Sequence, residues 1–125
     1  MGRRGFRDLQ VWQRSKDLAV RICQLSRAGG FGTEFWLRDQ ICRSAVSIAS
    51  NIAEGDERDT DRGATRFFYI AKGSLAELRT QLQIACEADV LDKQLYDAME
   101  SESEAVGRML GSLIKMRRRA ESPQR

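Results

Sequence analysis

The chain has 125 residues, of which 42% are hydrophobic and 31% are charged, with ten glycines and a single proline. These proportions exclude a disordered chain and predict one globular domain over residues 1–125, too short for two independent cores. The net charge of +3 is too small to indicate a polyanionic partner by itself, and no apolar stretch approaches the ~20 residues needed to cross a bilayer.

The first predicted helix covers residues 8–27. Small or apolar side chains recur at three- and four-residue spacing, which is typical of an amphipathic helix, at Val11, Ser15, Leu18, Ile22 and Leu25. Asp8 is expected as an N-cap or first-turn acid, and Gly29 and Gly30 end the helix.

The second predicted helix covers residues 33–53, with Thr33 as its cap and Gly55 as a left-handed terminator. Its apolar stripe consists of Leu37, Ile41, Ala45, Ile48 and Ile52. A charged loop then leads to the third helix.

The third predicted helix covers residues 61–87, and its expected core positions are Phe67, Ile70, Ser74, Leu78, Leu82 and Ala85. The fourth covers residues 92–118, with a heptad-like repeat at Leu95, Met99, Glu102, Val106, Met109, Leu113 and Met116. Glu102 either lies at the rim of this stripe and reaches solvent or is a buried partner for an arginine. An ordered core of about residues 6–119 is expected, with flexible termini and disorder beyond Ala120.

Four amphipathic segments joined by short connections predict an all-α, antiparallel up-down-up-down four-helix bundle. Small residues recur on the second and third helices, which predicts that these two helices pack tightly. Glycine inside a helix costs roughly 1 kcal/mol relative to alanine, so Gly73 is expected where another backbone approaches closely.

The sequence lacks the residue patterns that are typical of catalytic and metal sites. The chain has no histidine, which removes the commonest general base and the commonest metal ligand. Cys23, Cys42 and Cys86 lack the paired spacing of a zinc site, and we expect them to be reduced core residues. Ser44 and Ser47 have no nearby base. We therefore predict no enzymatic activity, no metal and no cofactor.

Basic side chains cluster near both termini, which lie at the same end of an up-down-up-down bundle. The two clusters either form one positive surface or act as solvated tails. Candidates for binding nucleic acid are Arg3, Arg4, Arg7, Arg14, Lys16, Arg21, Arg58, Arg62, Arg66, Lys72, Arg117, Arg118 and Arg119.

Two runs of consecutive aromatic and apolar residues, FWL at 35–37 and FFY at 67–69, cannot point inward as a whole. Three consecutive helical residues spread over about 200° of the helix surface. The remaining exposed apolar surface favours a subunit interface.

Four segments carry a family resemblance: LQVW at 9–12, QICRSAVS at 40–47, SIASNIAEG at 47–55 and FYIAKGSLAEL at 68–78. With them the chain resembles the four-helix-bundle proteins encoded in intervening sequences of bacterial 23S rRNA genes, a family that includes the accessory variability determinant of diversity-generating retroelements. The motif residues with expected structural roles are Arg43, Ser47, Asn51, Glu54, Gly55, Gly73 and Glu77.

The resemblance implies a homopentameric, positively charged barrel that, in the retroelement members, binds nucleic acid and a reverse transcriptase. From the residues themselves, Asn51 and Glu54 are expected to hydrogen-bond the loop and the start of the third helix. Arg43 and Glu77 are expected to form an interhelical pair.

Two functions follow as hypotheses. The first is a cytoplasmic, non-enzymatic homo-oligomer that binds RNA or DNA through lysines and arginines, as an accessory factor to a reverse transcriptase, without membrane association. The alternative is a protein-interaction scaffold that does not bind nucleic acid. Binding that weakens steeply with salt distinguishes the first from the second.

Overall fold

A computed structural model describes residues 5–32 and 35–121, apart from the side chains of Phe35 and Glu121. Within these residues the chain forms four α-helices and no strand, preceded by a 3₁₀ turn at Gly5–Asp8. The helices are α1 (Gln10–Arg27), α2 (Phe35–Asp56), α3 (Asp61–Glu87) and α4 (Lys93–Glu121). The predicted four-helix bundle is confirmed.

Local sequence sets the helix ends. α1 and α3 both end in Schellman turns, in which Gly30 N donates to Leu25 O at 2.8 Å and Val90 N donates to Ala85 O at 2.8 Å. Thr60 is the N-cap residue of α3, and its hydroxyl accepts a hydrogen bond from Gly63 N at 3.0 Å.

Three predicted helix ends differ from those in the structure. Leu9 is the N-cap residue of α1 and makes no side-chain cap, so the prediction of Asp8 as a cap was wrong. α2 continues to Asp56, and Gly55 is helical rather than left-handed. α4 continues to Glu121. The predicted cap Thr33 and residues 122–125 lie outside the described residues.

One core lies between the four helices. The predicted stripe of α2 is entirely buried, and α2 and α3 make the most extensive contact of any helix pair in the described chain, as predicted. Ser47 and Ser74 lie at this contact with their hydroxyls 2.8 Å apart.

The inward face of α3 differs from the predicted one. Phe68 and Ala71 are fully buried, whereas Ile70 is 44% exposed and Phe67 only partly buried. On α4, Leu110 and Ile114 are buried and Met116 is 57% exposed. Both errors arise because neighbouring apolar residues in these helices offer two alternative stripes.

The three cysteines are unpaired and partly buried. Burial raises the pKa of the Cys23 thiol, and the neighbouring Cys42 raises it further. A raised pKa keeps this thiol protonated at neutral pH and therefore unreactive.

Candidate nucleic-acid interface

A basic groove runs along the outside of the bundle between α3 and α4. Its terminal half has a volume of about 450 Å³ and is lined by Tyr69, Lys72, Gly111, Ile114, Lys115, Arg118 and Arg119. Its central half, of about 460 Å³, shares Lys72 and continues past Gly107 and Arg108 to Arg79 and Glu104. We refer to the two halves together as the α3–α4 groove.

The groove is open because two glycines stand one helical turn apart on α4. A Cβ atom at Gly107 would lie 3.4 Å from Leu75 Cδ2, and one at Gly111 would meet nothing within 4 Å. Because neither position carries a side chain, the α4 wall leaves room for a ligand next to the cations.

The terminal half carries uncompensated positive charge. Lys72, Lys115, Arg118 and Arg119 line it, and none of them makes an ion pair with a carboxylate of the described residues. Arg118 Nη1 instead donates a hydrogen bond to Tyr69 Oη at 2.9 Å. No carboxylate belongs to the described lining of this half, so it attracts anions.

The central half is more nearly neutral. Arg79 Nε donates to Glu100 Oε2 at 3.2 Å, and Arg79 also lies 3.9 Å from Glu104. The hydrogen bond to Glu100 raises the pKa of Arg79. Attraction for an anion therefore decreases from Arg118 towards Arg79.

The basic residues predicted on α1 lie away from this groove. Arg14 makes a two-fold hydrogen bond with Glu102, at 2.8 and 3.0 Å, on the side of α4 that faces α1. Lys16 pairs with Asp17 at 2.8 Å, and Arg7 lies over the Phe6 ring. Arg21 is exposed on the same helix.

Glu102 thus has an arginine partner and is only partly buried, so both expectations for this residue hold in part. Its side chain is 24% exposed, and the hydrogen bond from Arg14 lowers its pKa against the opposing effect of burial.

The first and last parts of the described chain lie at one end of the bundle, as predicted. The turn at Gly5–Asp8 contacts α2, and Arg117 near the end of α4 pairs with Asp56 and Asp61. The loop between α2 and α3 brings these acids to the same place. The two terminal clusters therefore do not add up to one uninterrupted positive surface among the described residues.

Arg117 forms ion pairs with one carboxylate of α2 and one of α3. Its guanidinium donates to Asp61 at 2.9 Å and to Asp56 at 3.3 Å, and the Asp56 side chain is 2% exposed. Arg58 is likewise occupied, by Glu54 at 3.1 Å and by the Phe67 ring at 4.3 Å.

Of the remaining candidates, Arg62 and Arg66 are exposed on α3 and do not line the groove. Arg3 and Arg4 lie outside the described residues.

Three of the motif residues, Arg43, Ser47 and Glu77, border a small polar cavity of about 290 Å³ between α2 and α3. Arg43 and Glu77 both line it, but no ion pair within 4.0 Å joins them in the described structure, so that predicted pair is wrong. Asn51 Nδ2 donates to Ser47 O at 2.9 Å and Ser47 Oγ at 3.0 Å. Asn51 therefore stabilises its own helix instead of the loop, whereas Glu54 reaches the loop through Arg58.

The two motif glycines differ from expectation. A Cβ atom at Gly55 would lie 2.6 Å from the Phe68 ring and 2.9 Å from Ala64 O, so Gly55 marks the close approach of α2 and α3. Gly73 is exposed, with nothing within 4 Å of an added Cβ, so the predicted close contact there is wrong within this chain.

An apolar groove of about 530 Å³ runs along the surface between α1 and α2, which pack against each other. Trp12, Ala19, Val20, Val46 and Ala49 line it, and Val20 and Val46 are 45% and 48% exposed. Trp36, from the first aromatic run, is 61% exposed elsewhere on α2. The expectation that the aromatic runs leave exposed apolar surface is confirmed at Trp36 and Tyr69.

Sequence reasoning did not single out Lys115, Arg108 or Tyr69 as ligand-binding residues. The available signal was the spacing on α4, where Gly107 and Gly111 share a face with Lys115 and Arg118. Only the pairing of α3 with α4 places Tyr69 and Lys72 opposite that face.

The described residues contain no group of three or more His, Cys, Asp or Glu side chains that could hold a metal ion. No helix among them is long and apolar enough to cross a membrane.

A family model described as 23S rRNA-intervening sequence protein matches residues 7–112. The crystal structure of a protein of unknown function of the S23 ribosomal protein family, from Bacteroides thetaiotaomicron, is similar to this chain at 26% sequence identity. The TM-score is 0.79, and the match covers 84% of this chain and 95% of that chain. Comparison with curated proteins gives no match.

Proposed function

The chain belongs to the 23S rRNA-intervening sequence protein family, and we propose that it is a non-enzymatic, homo-oligomeric protein that binds nucleic acid in the α3–α4 groove. The observation that supports this function best is the terminal half of the groove. Four cations line it without a described carboxylate, and an open glycine wall lies beside them.

Phosphate groups are the expected ligands of these cations. Lysine and arginine side chains neutralise the backbone and release counterions, which gives affinity without reading bases. Lys72, Lys115, Arg118 and Arg119 correspond to about four phosphate contacts, and single strands contribute roughly 0.7 to the salt slope per contact. The logarithm of affinity should therefore fall with the logarithm of salt concentration with a slope of about −3.

Self-association would multiply this effect. In the pentamer implied by the family resemblance, several grooves would act on one polynucleotide, and linked sites bind more tightly than isolated ones. The apolar α1–α2 groove is the surface we assign to the contact between copies, because Val20 and Val46 are exposed there. An accessory role beside a reverse transcriptase in a diversity-generating retroelement, and a cytoplasmic location, belong to the same proposal.

Fluorescence anisotropy with a labelled single-stranded RNA, at about 50 and 200 mM salt, tests the proposal. The variant K72Q/K115Q/R118Q should reduce the slope to about −1 and weaken binding at low salt. The control R21Q/R38Q/K93Q removes the same charge at residues that line neither the α3–α4 groove nor the α1–α2 groove, and it should bind like the unmodified chain. Equal losses in both variants would reject the groove as the site.

A second candidate function is a protein-interaction scaffold without nucleic-acid binding. The apolar α1–α2 groove favours it, because exposed apolar surface of this kind is typical of protein interfaces. An oligomer that retains neither RNA nor DNA at either salt concentration would support this function instead.

A further inference from the structure

Tyr69 is the aromatic residue in the terminal half of the α3–α4 groove, and the cations do not explain its presence. Its side chain lies among Lys72, Lys115 and Arg118, and the residue is 44% exposed. A buried aromatic would be core filling, but the core position in this part of α3 belongs to the neighbouring Phe68, which is fully buried.

The Tyr69 ring is held in place. Arg118 Nη1 donates to Tyr69 Oη at 2.9 Å, so the hydroxyl fixes the ring across the groove to α4. A ring that is already oriented loses little conformational freedom when a flat ligand stacks on it.

Gly73 leaves space next to this ring. Helical side chains lean towards the N-terminus, so a side chain at position 73 would extend over the residue four positions earlier, which is Tyr69. Glycine at this exposed position has no packing reason within the described chain, because an added Cβ would meet nothing within 4 Å. Because Gly73 has no side chain, the space beside the Tyr69 ring stays open.

The shape of the groove favours a single strand. The axes of packed helices lie roughly 8–10 Å apart, so the groove on their outer side is too narrow to admit a duplex, and a single strand would lie along it. Proteins that bind single strands combine a positively charged groove for the backbone with aromatic side chains on which bases stack. Both elements are present here within one groove.

We infer that the terminal half of the α3–α4 groove binds single-stranded nucleic acid, with an unpaired base stacked on Tyr69 and the flanking phosphates on Lys72, Lys115 and Arg118. This inference rests on the proposed function and specifies its ligand. RNA and DNA strands share the required chemistry, because every base has a flat aromatic face.

The test uses the full chain and labelled 12-nucleotide probes at about 50 mM salt: one mixed-sequence RNA strand, the DNA strand of the same sequence, and the blunt RNA duplex. We expect the single strands to bind more tightly than the duplex. Tyr69→Leu should weaken single-strand binding roughly tenfold, the loss expected from one stacked base. Tyr69→Phe retains the ring and should bind within a few-fold of the unmodified chain.

Trp36→Leu is the matched control, because it removes an aromatic side chain that is 61% exposed and outside the groove. It should leave binding unchanged. Circular dichroism of each variant establishes that the helices are intact. A second variant, Gly73→Leu, places a side chain beside the ring without changing charge, and should also weaken single-strand binding.

The outcomes separate the two proposals. Salt-sensitive binding that prefers single strands and is lost in Tyr69→Leu supports the inference. Salt-sensitive binding that is indifferent to Tyr69→Leu, or equal for strand and duplex, overturns the inference and leaves the proposed function standing. Absence of binding to all three probes overturns both. A preference for the RNA strand or for the DNA strand shows which of the two nucleic acids the groove binds.

Discussion

Two glycines show how residue environments decide the consequences of the same substitution. Gly55 is buried where α2 approaches α3, and an added methyl group would meet both the Phe68 ring and a backbone carbonyl. Gly73 is exposed on α3 and would accept the methyl group without any contact. Intrinsic propensity favours alanine at both positions, so packing alone determines the sign of the effect at Gly55.

Gly55→Ala should destabilise the fold by about 1–3 kcal/mol, the usual range for overpacking, because neither the ring nor the carbonyl can move aside freely. Gly73→Ala should stabilise the fold by roughly 0.5–1 kcal/mol through helix propensity. Urea denaturation followed by circular dichroism measures both. Effects of the same sign would contradict the assigned environments.

The same two residues mark the limit of what the sequence predicts at this scale. Both glycines were expected to matter, but a helical glycine gives no sign of whether a neighbour approaches it. The close approach was therefore assigned to Gly73 and occurs at Gly55, because it depends on where Phe68 points. The predicted ion pair between Arg43 and Glu77 was wrong for the same reason. The two residues line one cavity but form no ion pair.

At the scale of elements, α1 and α4 are joined less extensively than the other neighbouring helices of the described chain. The pair formed by Arg14 and Glu102 crosses this contact with two hydrogen bonds. Because the hydrogen bond lowers the pKa of Glu102, the pair stabilises the folded state wherever Glu102 is ionised.

Glu102→Gln should destabilise the fold at pH 7 by about 0.5 kcal/mol, a modest amount because Arg14 is substantially exposed. A lowered folded pKa gives stability that is complete above the ordinary glutamate value near 4.3 and is lost as the pH falls through the folded value. The difference between the variant and the unmodified chain should therefore shrink as the pH falls below the ordinary glutamate value, and disappear once Glu102 is protonated in the folded state.

Urea denaturation at pH 7 and at about pH 3 gives the measurement, with Glu77→Gln as the control carboxylate that makes no ion pair in the described structure. A Glu102→Gln deficit that stays constant down to the lower pH would show that the pair does not act through the charge of Glu102.

Elements were predicted well where one apolar stripe dominates. The bounds of α3 match the prediction, and the predicted core face of α2 is buried throughout. The phase of α3 was wrong near Phe67 because three aromatic residues follow one another, and periodicity cannot choose among them. Packing of Phe68 against Gly55 makes that choice, and it requires knowledge of the opposite helix.

At the scale of the whole molecule, charge and apolar surface lie on different sides of the bundle. Four cations that make no ion pair with a described carboxylate line the terminal half of the α3–α4 groove, and the apolar groove lies between α1 and α2. This separation would allow copies of the chain to associate through one face while the other stays open to a ligand. Of the candidates for nucleic-acid binding, Lys72, Arg118 and Arg119 lie together in this groove. The sequence did not indicate that Asp56 and Asp61 pair with Arg117.

Val46→Glu should dissociate the homo-oligomer, because it places a charge in the apolar groove where the contact between copies is proposed. Light scattering coupled to size-exclusion chromatography measures the mass of the assembly. Ile84→Glu, at a residue that is 50% exposed on α3, is the control and should leave the mass unchanged. An assembly unaffected by Val46→Glu would exclude the α1–α2 groove as the interface.

Photo-crosslinking shows whether nucleic acid binds in the α3–α4 groove. A 4-thiouridine-containing RNA strand is irradiated with the full chain at about 50 mM salt, where phosphate contacts are strongest, and the crosslinked tryptic peptides are identified by mass spectrometry. We expect crosslinks on FFYIAK at residues 67–72 and on MLGSLIK at residues 109–115, the two walls of the groove. Crosslinks concentrated on α1, or none at all, would contradict binding in this groove.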